Sequence, residues 1–308
     1  MPNLDFVGKR RFFIYLSLVL IIFSVILFFV KGFNVGVDLS GGSEIIVSFD
    51  NEYTIDEIRS ALQSLNPEYA TARIIKTDLG TESNNRNYYI ITVRDTFPTS
   101  NEKQSFVNGL ESVFMNSGLQ VEQFNDVSGY AATEIRSYAW YAIIITLAVL
   151  LVYITIRFQF SFAIGSIIAL AHDIIVTLGL YSLFGIEINL TAIAALLTLV
   201  GYSLNDTIVV YDRIRENRAK NRNNPIEDTI NKSINEVIIR SLNTSITTFI
   251  VVFLMLLIGG RSIAPFAFGM TVGVIVGTYS SLYIASPIVI GMVNRSNKNK
   301  KAKKAYNK

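Results

Sequence analysis

Apolar runs of about 20 residues, the length that crosses a bilayer, recur along the chain at 12–30, 138–156, 162–184, 190–211, 237–258 and 265–292. Each predicts a transmembrane helix. Between the first and second runs the rhythm changes. Ile45, Val47 and Phe49 alternate with Glu44, Ser48 and Asp50, the period of a half-buried strand. Thr54 to Glu57 has the spacing of a capping box, and Ile55, Ile58, Leu62 and Leu65 follow at helical intervals. Alternation returns over 70–76 and 87–95. A second capping box, Thr99 to Glu102, opens a helix with Phe106, Leu110, Val113 and Phe114 on one face, and 119–127 reads as a last strand. The order βαββαβ predicts a ferredoxin-like arrangement.

The expected fold is therefore membrane α-helical, with six transmembrane helices plus one extracytoplasmic α+β (ferredoxin-like) domain. Its parts are a cytoplasmic N-terminus over 1–11, the first helix over 12–30 and the outer domain over 31–136. Helices two to six follow over 137–292 with a cytoplasmic loop at 212–236, and a basic cytoplasmic tail closes the chain over 293–308.

Composition agrees. At 51% apolar and 17% charged residues, with mean hydropathy +0.41, the chain is too apolar for a soluble globule of 308 residues. It has no cysteine and one histidine, which excludes disulfides, thiolate chemistry and a zinc site built from these residues. The net charge of +3 informs topology and does not point to nucleic acid. If the spans alternate, Lys9, Arg10 and Arg11, the loop holding Arg213, Arg215, Arg218, Lys220, Arg222 and Lys232, and the tail lie on one side, which the positive-inside rule makes cytoplasmic. Both termini are then cytoplasmic. Lys9 to Arg11 also resembles a signal-peptide n-region, but no cleavage pattern follows, and the first span reads as a retained anchor. The tail is a topology signal or a lipid- or ribosome-binding segment.

Ionisable groups inside a span are costly and therefore candidates for function. Asp206 lies about 10 Å inside Arg213 on the fourth span, and Arg240 enters the fifth by a similar distance, at a rise of about 1.5 Å per residue. Equal depth on antiparallel neighbours makes them expected partners, either as a pair broken and remade by a proton or as a static ion pair. Thr198, Tyr202 and Asn205 share a face with that site, and Ser241, Thr244, Ser245 and Thr248 form a stripe beyond Arg240. They read as a narrow polar path or as ordinary helix packing. His172 and Asp173, about 15 Å along the third span, are candidates for proton movement or for interhelical hydrogen bonds. Gly269, Gly273 and Gly277 recur every four residues and invite close helix contact. No nucleophile, base and oxyanion set appears, so an enzyme is not expected; the outer domain reads as a docking or substrate-handling module.

Three stretches together carry a resemblance: Gly201 to Asn217 with its Asn205-Asp206-Thr207 and Arg213-Ile214-Arg215-Glu216-Asn217, Ala169 to Asp173, and Gly32 to Ser43. The chain resembles the SecF family of the resistance-nodulation-division superfamily over essentially its whole length. The resemblance implies a partner, SecD, commonly with YajC, beside the SecYEG channel. It also implies a bacterial inner-membrane location, an unfolded preprotein as substrate, surrounding membrane lipids, and a proton or sodium gradient in place of a cofactor. It places functional roles on Asp206 and Arg240. The glycine motif departs from the usual Asp-Phe-Thr-Gly-Gly-Thr and reads Asp38-Leu39-Ser40-Gly41-Gly42-Ser43; Gly41 and Gly42 read as a tight turn or as a substrate contact, and Gly201 as structural. The rival readings are a half-size exporter of lipids or small molecules acting as a dimer, and a membrane-anchored scaffold with inert spans.

Overall fold

The computed structural model describes residues 4–77, 86–115, 117–221 and 224–295. Arg222 and the tail from 296 to 308, with the lysines assigned to topology, lie outside them. The chain forms two compact units, one of residues 1–34 with 141–308 and one of residues 35–140.

All six expected spans are helices long and apolar enough to cross a membrane. They are α1 (Arg10–Val30), α5 (Gly129–Arg157), α6 (Phe160–Phe184), α7 (Leu190–Lys220), α8 (Ile226–Ile258) and a last helix covering Ala264–Arg295. That last helix is α9 (Ala264–Ser280), a π-helical turn at Ser281–Ala285, and a helical continuation. α6, α7 and α9 form the interior, whereas α1, α5 and α8 turn most of their surface outward. With lipid as apolar as leucine, close approach of small residues holds such helices together. Ala195, Leu199 and Ser203 on α7 face Gly269, Gly273 and Gly277 on α9 in step, and a β-carbon on Gly273 would lie 2.6 Å from Leu199 Cδ1. Gly179 of α6 likewise meets Ser24 of α1. The stripe expected from spacing is thus a packing seam, while Gly201 is exposed and a β-carbon there would meet nothing within 4 Å.

The connection expected over 212–236 is mostly helix. α7 continues to Lys220 and α8 begins at Ile226 with Glu227 and Asp228 in its first turn, where acidic groups complement the helix dipole. The two extensions clamp each other: Asn217 donates to Ser233 Oγ at 3.0 Å and to Glu236 Oε2 at 2.7 Å, and Arg213 pairs with Glu236 at 2.6 Å. The N-terminal segment is tied to the same end. Asn231 Oδ1 accepts from Phe6 N at 2.8 Å and Asn235 Oδ1 from Leu4 N at 2.8 Å, while Phe6 is buried against the ring of Tyr283.

The second unit has the expected topology. Strands β1 (Gly42–Phe49), β2 (Arg73–Thr77), β3 (Asn87–Val93) and β4 (Gln120–Val127) pair antiparallel in the order β2-β3-β1-β4. Helices α3 (Ile55–Leu65) and α4 (Ser100–Val113) contribute Ile58, Leu62, Phe106 and Leu110 to a core with Ile45, Val47, Phe49, Tyr89 and Ile91. Both capping boxes are formed. Ile55 and Val113, expected on the buried faces, are exposed, as end positions of their helices. The first part of the segment expected as strand over 70–76 is instead the end of a 3₁₀ turn at Pro67–Thr71, set by Pro67 and by Asn66 capping Glu68 N.

A short helix α2 (Val37–Ser40) leads into β1 through the glycine pair. Gly41 has φ +77° and Gly42 φ +112°, and a β-carbon on Gly42 would collide with Val93 O. The geometry requires glycine at both positions. Ser43 then ties the strand down, donating to Asp95 O at 2.8 Å and approaching Asp126 Oδ1 at 2.7 Å.

Gly42→Ala is expected to destabilise the second unit by about 1–3 kcal/mol, whereas Gly129→Ala, with open space at its β-carbon, is expected to leave it intact. Protease sensitivity of the two full-length variants compares them directly. Hydrogen bonds from Thr54 N–H and Thr54 Oγ1 hold the Glu57 carboxyl below the usual glutamate range. A depressed carboxylate contributes above its unfolded pKa and loses that contribution as pH falls through its folded pKa. Protection factors of amides in the first turn of α3, with the intrinsic pH dependence of exchange divided out, should accordingly fall on acidification, and less so in Glu57→Gln.

Candidate ion-coupling site in the helical unit

The Gly201 to Asn217 stretch lies entirely within α7. One side of that helix faces the interior and buries Ser203, Leu204, Asp206, Thr207, Val210 and Tyr211. Tyr211 anchors its inner half: it is fully buried, with its ring centroid 4.7 Å from that of Phe162 and 6.0 Å from that of Phe158. Two carboxylates sit at different positions around the seam.

Asp173, on α6, is 1% exposed and wholly enclosed. Ser203 of α7 donates to its Oδ2 at 2.7 Å and Ser280 of α9 at 2.8 Å, while His172 Nδ1 lies 3.0 Å from Oδ1. Three interior helices therefore converge on one carboxylate. The network runs on through Thr207, which donates to Ser203 O at 3.1 Å and lies 3.2 Å from Ser281 Oγ at the start of the π turn. Such turns often mark functional positions in helices. His172 Nε2 is buried with no hydrogen-bond partner among the described residues, and the imidazole lies 6.0 Å, ring to ring, from Tyr279. Tyr279 in turn donates to Phe13 O at 2.7 Å and meets Ser17 Oγ at 2.7 Å on α1.

Asp206 has a thinner environment. It is 3% exposed, and its Oδ2 accepts from Ser245 of α8 at 3.3 Å; Ser245 also meets Thr278 of α9 at 2.7 Å. The expected partner is elsewhere. Arg240 is exposed, and among the described residues no ion pair joins it to Asp206. Counted from the Arg213–Glu236 contact, Asp206 lies about 10 Å along α7 and Arg240 about 6 Å along α8, and the rotation about the helix axis decides the rest. Ser241, Ser245 and Val252 form the buried face of α8, and Arg240, one residue away, is turned by about 100°.

The remaining polar residues divide in the same way. Thr198, Gly201 and Asn205 lie on an exposed face of α7, with Tyr202 half-buried at its edge. Thr198, Thr244 and Thr248 donate to Ala194 O, Arg240 O and Thr244 O of their own helices, the usual bond of small hydroxyls in a membrane helix. Ser241 is buried with no partner among the described residues. Ser203, Ser280, Ser281 and Tyr279 were not singled out by sequence reasoning, and Thr207 entered only as a member of the Asn205-Asp206-Thr207 motif. Single serines in an apolar helix carry no pattern, and which of them meet is set by how α6, α7 and α9 pack.

A bundle of six spans with carboxylates at its centre and an α+β domain inserted after the first helix defines a polytopic membrane protein of the transport type. Residues 110–295 match the family described as "Protein export membrane protein SecD/SecF, C-terminal", and residues 26–52 match the "SecD/SecF GG Motif". The chain is 74% identical over 302 residues to protein translocase subunit SecF of Petrotoga mobilis, covering 98% of this chain and 100% of that one. It is 40% identical over 300 residues to SecF of Calditerrivibrio nitroreducens, covering 93% of each. The crystal structure of SecDF, a translocon-associated membrane protein from Thermus thermophilus, superposes with a TM-score of 0.83 at 32% identity, over 95% of this chain and 39% of that longer one. The chain belongs to the SecF family of protein translocase subunits.

Asp173 is held by donors from three helices, so Ser203→Ala or Ser280→Ala is expected to lower stability by about 0.6–1.7 kcal/mol each, and Thr198→Ala by less. Thermal unfolding in detergent orders the three variants; a Thr198→Ala cost equal to the others contradicts the assigned network.

Proposed function

We propose that this chain is the SecF half of a SecD/SecF pair in the bacterial inner membrane. In this reading it uses an ion gradient to assist late preprotein export through SecYEG, with YajC as an accessory. One observation carries it. Asp206 is buried and, among the described residues, takes its hydrogen bond from Ser245, directly beside an outward polar face bearing Thr198, Asn205 and, on α8, Arg240. Keeping a guanidinium and an amide on the outer surface of a membrane helix is costly unless something polar covers them. A second membrane half would do so, and in the Thermus SecDF chain this one matches only 39% of the length.

Asp206 and Arg240 then form one coupling unit, to which Tyr202 and Asn205 give a polar approach. Proton or sodium binding at Asp206 sets whether the carboxylate engages Arg240 or rests on Ser245, and the choice rotates α8 against α7. His172, Asp173, Ser241, Thr244 and Thr248 contribute packing or a continuation of the path. The motion reaches the outer unit, which grips and releases the emerging polypeptide. Both termini are cytoplasmic in this reading. The clamping of residues 4–7 to Asn231 and Asn235 supports this, bringing Lys9 to Arg11 to the same end as the α7–α8 connection. The half-size exporter is not favoured, because the relatives matched over the whole chain are protein translocase subunits.

Inverted vesicles or proteoliposomes containing the SecD partner test the reading. Asp206→Asn and Arg240→Met are expected to abolish the gradient-dependent part of export while assembly with SecD persists; Thr155→Ala, whose hydroxyl bonds only Leu151 O of its own helix among the described residues, is expected to leave it unchanged. Wild-type export from assembled Asp206→Asn and Arg240→Met complexes would sink the mechanism.

A further inference from the structure

The end of the helical unit that holds the N-terminal segment also carries a cavity of about 450 Å³. It lies where α5 ends at Arg157 and α6 begins at Phe160, with the last turns of α7 and the start of α8 beside it. Its floor is aromatic, with Phe158 and Phe162 6.2 Å apart between ring centroids. Ile214 and Val293 form apolar walls, and Arg215 and Arg218 stand among the lining residues. The guanidinium carbons of Arg157 and Arg215 lie 5.2 and 5.5 Å from the centroid of the Phe158 ring, within cation–π range.

The charged residues that line the cavity are Arg215 and Arg218. Asp212 Oδ1 is shared, at 3.4 Å, between Arg157 and Arg215, and Arg218 donates to a neutral carbonyl, Asn224 O, at 3.0 Å. Of the other acids at this end, Glu216 and Glu236 bind Arg213, Glu227 accepts from Asn294 at 2.8 Å, and Asp228 is exposed in the first turn of α8 and does not line the cavity. Arg215 also donates to Arg157 O at 3.2 Å; each arginine has five N–H donors, and these bonds leave several of them for a further acceptor. At the same turn, Ile156 and Phe160 are exposed, at 81% and 59%, extending the apolar surface beside the cavity. Arginines over an aromatic floor at a membrane boundary, with greasy flanks, suit a group that is anionic at one end and acyl at the other.

We propose that this pocket binds an anionic phospholipid, its phosphate on Arg215 and Arg218 and its chains along Ile156 and Phe160. Full-length protein in detergent is titrated with short-chain phosphatidylglycerol, short-chain phosphatidylcholine and inorganic phosphate, and binding is read by thermal shift and by lipid retained in native mass spectrometry. Phosphatidylglycerol is expected to bind the wild type, and at about 1 kcal/mol per surface arginine the affinity should fall about five-fold per Arg→Gln change and roughly 25-fold for Arg215→Gln with Arg218→Gln. Arg215→Lys with Arg218→Lys, which keeps the charge, is expected to retain most of the affinity, and Lys220→Gln on the same helix all of it. Three results would each overturn the proposal: equal binding of phosphatidylcholine, a full response to inorganic phosphate alone, or undiminished phosphatidylglycerol binding by the double glutamine variant.

Discussion

The contact of α7 with α9 across Gly269, Gly273 and Gly277 is the constraint on which the helical unit depends. Inside a bilayer no hydrophobic force drives helices together, so their association rests on how closely the backbones can approach. Three glycines on α9 admit Ala195, Leu199 and Ser203 of α7 at consecutive turns. That approach sets Ser203 and Ser280 on either side of Asp173 and brings Ser281 to Thr207. A larger residue on the seam would separate the helices, and the polar network would lose its donors while remaining buried, the most expensive state for such groups.

The two buried carboxylates therefore have different standings. Asp173 is completed by this chain alone, with donors from α7 and α9 and the adjoining His172. Asp206 is not: it has one hydroxyl from α8 and an outward polar face at its side. The first arrangement joins three helices of this chain at one carboxylate, whereas the second leaves its carboxylate beside the exposed face on which the proposed coupling to Arg240 rests.

The arginines at the membrane boundary illustrate how one class of residue serves several ends. Arg213 joins Glu216 and Glu236 in the α7–α8 clamp, Arg215 and Arg157 share Asp212 over the Phe158 ring, and Arg240 lies exposed on α8. All contribute to the positive charge from which orientation is inferred, yet their contacts differ completely. The stretch from Asp206 to Asn217 is correspondingly two devices joined in one helix: a carboxylate in the span, and beyond Tyr211 a polar clamp that stiffens the helix end.

The sequence by itself determined the spans, the βαββαβ order with both capping boxes, and the glycine seam, because each is written in a local period or a backbone requirement. The apolar length of a span, the alternation of Ile45, Val47 and Phe49, and the need for glycine at 41 and 42 follow from chain geometry within a few residues. It also marked Asp206, since a carboxylate in an apolar helix is conspicuous wherever its partner lies. Only the tertiary structure decided what meets what. Arg240 and Ser245 are both within reach of Asp206 by depth along the membrane, and the roll of α8 about its axis, set by how Ser241, Ser245 and Val252 pack, chose the serine. Ser203 and Ser280 are 77 positions apart and individually unremarkable, and they acquire a role because three helices bring them to one buried oxygen. A hydrogen bond between helices depends on rotation and close approach, and neither is encoded in the local pattern of any single segment.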